Sequence, residues 1–563
     1  MRKRPHDDCG LDISGKRPRF DIVDRLSLLS DELLLRILSF VPIPTLTLCP
    51  RVSRRFKALA GDSQLWKSAY YNRFVRPRAS RIPGVKDSDI SANSLLYSSR
   101  ISKWLEEDHL VQQGKGTDWK RQYKLRHNWA RGSCDVSEIQ VAEGPSVPPL
   151  LVRLHEGIVI AADSTAGIRA WSMRGGGQRL LASRVLRPRE GDDKDSDRFG
   201  APASLSIDTQ GPGHQDLKIA VGFVNGGFSI YRLQTEAGLF VHQYTHSPSS
   251  NGMISAIAYA SPYLLTMTEA QLLSLYRFTS ELNHRSHDVL LDPPRLLSSL
   301  KSHTVWPPLS LSIRVSPTNM TASIAYAMPT YLSGWSVGLQ ELRLTPEGSI
   351  LESRLASAVT QGFTSLWFSN SSSSNSNQRS SSEGATELRS IASSTKPTSL
   401  SYSHPYLLAS HPDNTLTLYL VTSTAGNLSV GAGSRLWGHT SSVSGAHVGD
   451  RGKAVSVSSH GNELRVWELE GAISSASSRR RMATGEASVQ VRPEIRKYQP
   501  QTNPGNGSDS SSPQGRNDGL VFAHRVCDMA TARGWVGFDD EKVIVLREKG
   551  QGTQALVVYD FSQ

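Results

Sequence analysis

The chain has 563 residues, 38% of them apolar, and carries a formal net charge of +12. A chain of this length can form two or more domains with cores of their own. The charge is unevenly distributed: residues 1–135 hold 26 Lys and Arg against 15 Asp and Glu, which leaves about +1 for the remaining 428 residues. The larger part of the chain therefore lacks the positive field of a protein that binds phosphate backbones, and nucleic acid is not an expected partner.

The cysteines and the apolar runs indicate the cellular environment. The four cysteines, Cys9, Cys49, Cys134 and Cys527, show no paired spacing, which predicts a reducing compartment without disulfides or a zinc site. No apolar run is long enough to span a bilayer, and the basic, polar N-terminus differs from a signal peptide. We expect an intracellular protein without membrane contact, located in the nucleus, the cytoplasm or both.

Residues 1–22 are polar and lack hydrophobic periodicity, which predicts a disordered tail. Two basic clusters in this tail resemble nuclear-import signals, which need exposed positive charge in an extended segment. The alternative is a basic tail that only adds solvated charge. The candidate import residues are Arg2, Lys3, Arg4, Lys16, Arg17 and Arg19.

Residues 26–66 (LSLLSDELLLRILSFVPIPTLTLCPRVSRRFKALAGDSQLW) contain short and very apolar helices. From Asp31 to Val41 the apolar positions cover more than one helical stripe, and helices this short can bury only one stripe on each other. The surplus predicts a surface that another protein covers. Ser30 is suited to cap the first helix, and Pro50 predicts a break in the helical run.

The order of elements in this stretch resembles the F-box, the docking module for the Skp-type adaptor of cullin-RING ubiquitin ligases. The shared points are a Leu-Leu-x-Asp-Glu-Leu start, an Ile-Leu-Ser-Phe helix, a Val-Ser-Arg-Arg-Phe helix, then Asp62 and Leu65-Trp66. Ser30 and Thr45 depart from the family pattern, which usually has Pro and an acidic residue there. The alternative is an ordinary helical hairpin inside a larger core. The resemblance implies an F-box over residues 23–75, with adaptor contacts from Leu29, Leu33, Leu34, Ile37, Leu38, Val41, Leu46, Val52 and Trp66.

Residues 76–132 are predicted to be a helical linker. In its last part, a cap at Thr117 or Asp118 precedes Trp119 and Tyr123 on one helical face, and a glycine stops the helix. A Trp-Lys-x-x-Tyr helix that ends in Asn-Trp-x-x-Gly resembles the connector of F-box/WD-repeat proteins. The resemblance implies a helix that holds two domains at a fixed separation.

From residue 133 to residue 563 the sequence changes to short alternating strands and turns rich in Gly, Ser and Asn, which predicts an all-β domain. Seven segments carry an apolar residue three positions before an aromatic residue or Leu, and we interpret each as the hairpin and third strand of a propeller blade; any one alone fits an ordinary hairpin. Their spacing of 45 to 79 residues exceeds that of a regular WD repeat, and we assign the excess to disordered insertions near 369–390 and 474–518. The segments are Ile168–Trp171, Phe228–Tyr231, Leu273–Tyr276, Leu339–Leu342, Leu416–Tyr419, Leu464–Trp467 and Val543–Leu546.

One segment resembles a WD repeat at nearly every characteristic position. Gly438-His439 precedes the strand at residues 454–458, and Trp467 ends the next strand, while Gly461 occupies the position of the usual structural Asp. The resemblance implies structural roles in the propeller for Gly438, His439 and Trp467, and also for Trp171. The predicted fold is mainly β, with a small α-helical F-box and linker helices followed by a seven-bladed WD-repeat-like β-propeller.

The C-terminus is predicted to close the ring. Residues 535–538 and 542–546 are expected to be two strands around an acidic turn, and residues 555–561 one more strand. An apolar strand this close to a chain end is expected to be paired, because an exposed apolar edge invites aggregation. We favour residues 555–561 as the outer strand of the last blade; alternatively, residues 134–141 supply that strand.

Catalytic chemistry is not expected, because the chain has neither a Gly-rich phosphate loop after a strand nor a Gly-x-Ser-x-Gly elbow. His242 and His246 are separated by roughly 13 Å of strand, too far to share one metal, and no cofactor is expected. The F-box resemblance implies a non-catalytic substrate-recognition subunit of an SCF-type (Skp–cullin–F-box) E3 ubiquitin ligase, whose F-box docks the adaptor and whose propeller binds a protein target. One alternative is a propeller scaffold whose F-box-like helices bind a partner outside ubiquitination. A propeller hydrolase would need convergent acid–base or metal residues that the sequence does not offer.

Overall fold

A computed structural model of the chain divides into two units, Met1–Tyr123 and Lys124–Gln563. Within the ranges it describes, no helix is long and apolar enough to cross a membrane. The predicted basic tail, the linker from residue 77 to residue 116 and the insertion near 369–390 lie outside these ranges. The described residues are 26, 28–76, 117–144, 147–174, 177–186, 200–209, 216–278, 291–302, 305–316, 319–330, 334–358, 396–424, 426–449, 452–458, 463–469, 488–493, 535–548 and 553–563.

Four short α-helices, two single helical turns and the start of a longer helix form the described part of the first unit. Pro50 lies in a 3-10 turn that interrupts the helical run, as its missing N–H predicts. The next helix begins at Arg54, where Ser53 is the N-cap and accepts a hydrogen bond from the backbone N–H of Phe56 at 3.2 Å. The elements are α1 (Asp31–Leu38), α2 (Ile43–Leu48), the 3-10 turn Cys49–Arg51, α3 (Arg54–Leu59), α4 (Ser63–Tyr70) and a π-helical turn Tyr71–Val75.

One apolar cluster holds these helices together. At its centre the indole of Trp66 is buried, and its Nε1 donates to the carbonyl of Ala60 at 2.7 Å, so the polar edge of the ring is satisfied. Trp119 and Tyr123, which begin the predicted connector helix, complete the cluster with tilted and edge-on ring contacts, respectively. The fully buried members include Leu34, Leu38, Leu46, Leu59, Leu65, Trp66, Tyr70 and Val75.

The second unit begins within α5 (Trp119–Arg131) and contains seven antiparallel sheets, the blades of a seven-bladed β-propeller. Each sheet is a meander of four positions from the inner to the outer strand. The first three blades are β2 (Leu151–His155), β3 (Ile158–Asp163), β4 (Gly167–Ser172) and β5 (Arg179–Arg184); β6 (Pro202–Ile207), β7 (Asp216–Phe223), β8 (Phe228–Gln234) and β9 (Leu239–His246); and β10 (Ile254–Ala260), β11 (Tyr263–Thr268), β12 (Leu272–Arg277) and β13 (Arg295–Lys301).

The remaining four blades follow the same pattern, and a separate buried apolar cluster lies between each blade and the next, including the last and the first. The ring is therefore closed by packing at every seam. In blade 5 the outer position is shared by two short strands. The strands are β14 (Trp306–Val315), β15 (Met320–Pro329), β16 (Trp335–Leu344) and β17 (Ile350–Ser357); β18 (Ser399–Ser403), β19 (Tyr406–Ser410), β20 (Leu416–Ser423), β21 (Leu428–Val430) and β22 (Ser434–Leu436); β23 (Val443–Val448), β24 (Lys453–Ser458), β25 (Leu464–Glu468) and β26 (Ser488–Gln490); and β28 (Val536–Phe538), β29 (Lys542–Glu548), β30 (Gln554–Asp560) and β1 (Ser133–Ala142), with β27 (Arg492–Pro493) beside β1.

Ring closure differs from our preferred prediction. In blade 7 the order from the inside is β28, β29, β30 and β1, so residues 555–561 form the third strand and residues 134–141 the outer one. The alternative prediction is therefore correct. The reason lies in burial: every residue of β30 is buried, whereas β1 is largely half-exposed, as expected for an outer strand whose other edge is paired only at Ser133 and Cys134.

The structure also corrects two other predictions, the strand position of one segment and the extent of one insertion. Six of the seven sequence segments are third strands of their blades, but Val543–Leu546 lies in the second strand of blade 7. The third strand there carries the same spacing in Leu556 and Tyr559. Ser488–Gln490, inside the predicted insertion near 474–518, is the outer strand of blade 6, so this part of the insertion is ordered.

Gly132 joins α5 to β1. Its φ of +71° lies in the left-handed region, and a Cβ there would stand 2.4 Å from the carbonyl oxygen of Gln490. Its own carbonyl accepts from the backbone N–H of Arg492 at 2.8 Å. The glycine predicted to end the helix therefore also allows the start of β1 to approach the end of β26 closely.

Candidate functional site

The first unit exposes an apolar surface, which we call the helical docking surface. Leu34 and Leu38 lie on the side of α1 that packs into the core. Leu33 and Ile37, each one position earlier, have side chains that are 54% and 44% exposed. Phe40, just after the helix, is 73% exposed. Several large apolar side chains left in water within one short stretch are typical of a surface that binds another protein. The surface consists of Leu26, Leu28, Leu33, Ile37, Phe40, Leu48 and Val52.

The nine residues predicted to contact an adaptor differ in how exposed their side chains are. Side chains in the core hold the helices in place and are not available to a partner, so they support the surface without forming it. Phe40 and Leu48 are exposed members that the predicted contact set lacks, although their large apolar side chains in this stretch are a usable signal. The predicted residues are exposed at Leu33, Ile37 and Val52, half-buried at Leu29 and Val41, and buried at Leu34, Leu38, Leu46 and Trp66.

Arg55 fixes the start of α1 beneath this surface. Ser30 lies at the N-cap with an extended backbone, but its hydroxyl makes no capping hydrogen bond. The Arg55 guanidinium instead donates to the carboxylate of Asp31 at 2.8 Å and to the carbonyl of Leu29 at 2.5 Å. These contacts link α1 to α3, so the serine that replaces the usual proline still has a defined backbone.

The predicted WD repeat lies in blades 5 and 6 and contains a buried hydrogen-bond network. His439 Nε2 and the hydroxyl of Ser456 lie 2.6 Å apart, and Trp467 Nε1 donates to the same hydroxyl at 2.7 Å. Glu463 accepts from the backbone N–H of Thr440 at 2.8 Å and lies 3.5 Å from His439 Nδ1. The acid of the network is therefore Glu463, a residue that our sequence analysis did not single out.

The other predicted propeller positions are also structural. Gly461 lies outside the described residues. Glu463, two positions later, supplies the acid that a WD repeat usually has as an Asp. A Cβ on Gly438 would stand 3.1 to 3.2 Å from atoms of neighbouring side chains, which explains a glycine there. Trp171 is buried between blades 7 and 1, with the guanidinium of Arg169 5.2 Å above its ring.

The two strand histidines also have local partners. His242 Nε2 lies 2.6 Å from the hydroxyl of Thr245, and His246 stacks on Phe228 at 4.6 Å between ring centres. Among the residues that the structure describes, no group of three His, Cys, Asp or Glu side chains is arranged to hold a metal.

The buried network predicts how stability depends on pH. Burial lowers the pKa of His439 to about 4, although the nearby Glu463 opposes the shift. Between pH 6.5 and 4 the unfolded chain therefore binds more protons at this residue than the folded chain, so the free energy of unfolding falls as the pH falls. Denaturant titrations across this range should show that loss, and His439→Gln should lower stability at pH 7 but flatten the pH dependence.

Other histidines contribute to the same trend. Burial lowers the pKa of His411, which lies 2.8 Å from the hydroxyl of Thr417 in blade 5. His411→Gln is therefore a matched control, whose smaller effect on the slope separates the two sites. An unchanged pH dependence in the His439 variant would contradict the assignment.

Comparison with known proteins agrees with this architecture. Residues 31–72 match a family described as F-box-like, and residues 134–562 match one described as F-box protein pof12 beta-propeller. An F-box-like domain followed by a seven-bladed propeller defines an F-box protein. The second match covers most of the chain, and the chain belongs to the F-box protein pof12 β-propeller family.

Similar individual proteins give less detail. F-box/WD repeat-containing protein 8 of Mus musculus is 27% identical over 143 residues, which is 25% of this chain and 20% of that protein, so the match spans about a fifth of the relative. Sqt1 of Saccharomyces cerevisiae is 8% identical with a TM-score of 0.39, covering 76% of this chain and 99% of that one. YCF48 of Cyanidioschyzon merolae is 8% identical with a TM-score of 0.38, covering 76% and 100%. These two structural likenesses carry no further argument.

Proposed function

We propose that this F-box protein is the substrate-recognition subunit of an SCF-type E3 ubiquitin ligase. The observation that carries the proposal is the helical docking surface, which lies on the F-box-like domain of a chain whose other unit is a propeller. An F-box domain implies a Skp-type adaptor, and a propeller implies binding of another protein. Exposed leucines, isoleucine and phenylalanine match the apolar chemistry of such an interface.

The proposed mechanism is proximity. The adaptor and its cullin would bring the charged ubiquitin-conjugating enzyme, while the propeller holds a target lysine nearby. Raising the effective concentration of the lysine accelerates transfer without a catalytic side chain in the receptor. The architecture is typical of non-catalytic receptors, and the role we assign to this chain is binding alone.

Co-purification tests this function. The tagged full chain is recovered from cell extract, and adaptor and cullin are measured by quantitative mass spectrometry. Recovery of both in stoichiometric amounts, with loss of both from a variant of the helical docking surface, is the expected result. Stable recovery of other proteins without adaptor would favour the rival scaffold function.

We further propose that targets bind at the end of the ring where the connections into the inner strands and the turns between second and third strands converge. These loops vary while the strands beneath them stay rigid. Because residues 136–563 are almost neutral overall, mixed apolar and polar contacts fit better than a large cluster of arginines. Target binding that is phosphate-dependent and strongly sensitive to salt would contradict this.

A separate proposal concerns location. The basic clusters in residues 1–22 are proposed to direct at least part of the protein to the nucleus, because clustered Lys and Arg in a polar sequence match the pattern of nuclear-import signals. A fluorescent reporter that carries this tail should become enriched in the nucleus, and the same tail with its six candidate residues changed to Gln should not. Equal distribution of the two reporters would show that the charge is only solvated.

A further inference from the structure

Two tryptophans lie at one end of blade 4, on the same side of its sheet. Trp306 begins the inner strand β14 and Trp335 begins the third strand β16, and first and third strands of a meander run in the same direction. Trp306 pairs with Ala327, and Trp335 pairs with Pro329 two residues along the same strand, so both side chains point to one face. Two strand spacings of about 10 Å and this offset of two residues, about 7 Å along the strand, place the two residues about 12 Å apart.

This face is turned toward blade 5. Trp335 packs with Ala327 in the apolar cluster between blades 4 and 5, yet it is only half-buried, and Trp306 remains 43% exposed. An inner-strand tryptophan that keeps this much surface in water is costly and is not explained by packing within the ring. Tryptophan is also the residue type most enriched among side chains that dominate binding energy.

Lys396 adds a positive charge to this pair. It enters blade 5 three residues before β18, and its Nζ lies 5.3 Å from the centre of the Trp335 ring. Lys396 is exposed, and no carboxylate pairs with it among the described residues. A cation held over an indole, beside a second exposed indole, favours a ligand with both a negative charge and an apolar group.

We propose that Trp306, Trp335 and Lys396 bind an acidic segment of the target protein in which Asp or Glu lies within about three residues of an aromatic or large aliphatic side chain. A span of three residues in an extended chain covers about 10 Å, and the reach of the side chains covers the rest of the separation between the two tryptophans. The apolar side chain packs on Trp306, and the carboxylate pairs with the Lys396 ammonium over Trp335. The inference rests on the proposed function, because it assigns the chemistry of the target to the receptor's ring.

Blade 5 offers a matched comparison. Trp437 precedes the inner strand β23 at the same end of the ring, is 45% exposed, and has the Arg435 guanidinium 5.6 Å from its ring centre. That guanidinium, however, lies 3.5 Å from the carboxylate of Asp413. The cation beside Trp437 is therefore already paired with a carboxylate. Trp437 is an exposed tryptophan like Trp306, but the positive charge next to it is not available to a ligand.

The test uses the full-length chain and a display library of random twelve-residue peptides. Selected peptides are expected to be enriched in Asp or Glu within three positions of Phe, Trp, Tyr or Leu. The best peptide is then made with a fluorescent label, and its Kd is measured by anisotropy. Trp306→Ala should weaken binding by about tenfold, as expected for a binding hot spot, while Trp437→Ala should change it less than twofold.

Charge reversal provides the sharper readout. Lys396→Glu should weaken the acidic peptide and strengthen a peptide in which Asp and Glu are replaced by Lys. Selection without acidic enrichment, absence of any binder, or equal losses from Trp306→Ala and Trp437→Ala would overturn the inference. Adaptor binding, measured on the same variants, should be unchanged, so failure of the ligase function and failure of this site are distinguishable.

Discussion

Ile37→Asp is expected to abolish adaptor binding and leave the first unit folded. The Ile37 side chain is 44% exposed in the free protein, so a carboxylate there remains hydrated until a partner covers it. Burying an unpaired carboxylate in an apolar interface costs several kcal/mol, which corresponds to a loss of at least about a hundredfold in affinity. Binding of purified adaptor by calorimetry, with circular dichroism for folding, measures both parts.

Two further variants complete this experiment. Leu34→Asp places the same charge on the same helix but in the core, where Leu34 is 1% exposed, so it should unfold the first unit as well as prevent binding. Leu355→Asp changes a leucine that is 67% exposed on the outer strand of blade 4 and should leave adaptor binding unchanged. Full adaptor affinity in the Ile37 variant would exclude the helical docking surface as the adaptor site.

Deletion of residues 554–563 is expected to open the ring. These residues include β30, which pairs with β29 on one edge and with β1 on the other, so their loss detaches the outer strand and exposes two apolar seams. They also include Phe561, whose ring stacks on Trp129 at 3.9 Å between ring centres. The expected result is an aggregated or proteolysed propeller rather than a modest loss of melting temperature.

The control is removal of Gln563 alone, which is exposed and lies beyond the last strand. That variant should keep the solubility and protease resistance of the full chain. Trp129→Ala should fall between the two, because it removes the stacked ring and the hydrogen bond from its Nε1 to the carbonyl of Asp540, at 2.9 Å, but no strand. Limited proteolysis and thermal unfolding distinguish the three, and a soluble deletion with an unchanged melting temperature would contradict this role.

The sequence alone determined the kind of protein. A register of several fixed points from Leu28 to Trp66 identified the F-box, and repeated apolar–aromatic spacing predicted seven blades. Both signals are local, because helix caps, strand alternation and short repeats depend on residues within a few positions of each other. Structural roles for His439 and Trp467 were predicted for the same reason, although their hydrogen-bond partners were not.

Only the tertiary structure decided which side chains are exposed and available for binding. Leu33 and Leu34 are adjacent and chemically identical, yet one is exposed and the other is in the core, because burial depends on where α3 and α4 pack. The outer strand of blade 7 comes from residues more than 400 positions away from its neighbour β30, a pairing that no local pattern encodes. Lys396 likewise reaches the Trp335 ring only because blade 5 folds beside blade 4. Local chemistry therefore specified the modules, and long-range packing specified their surfaces.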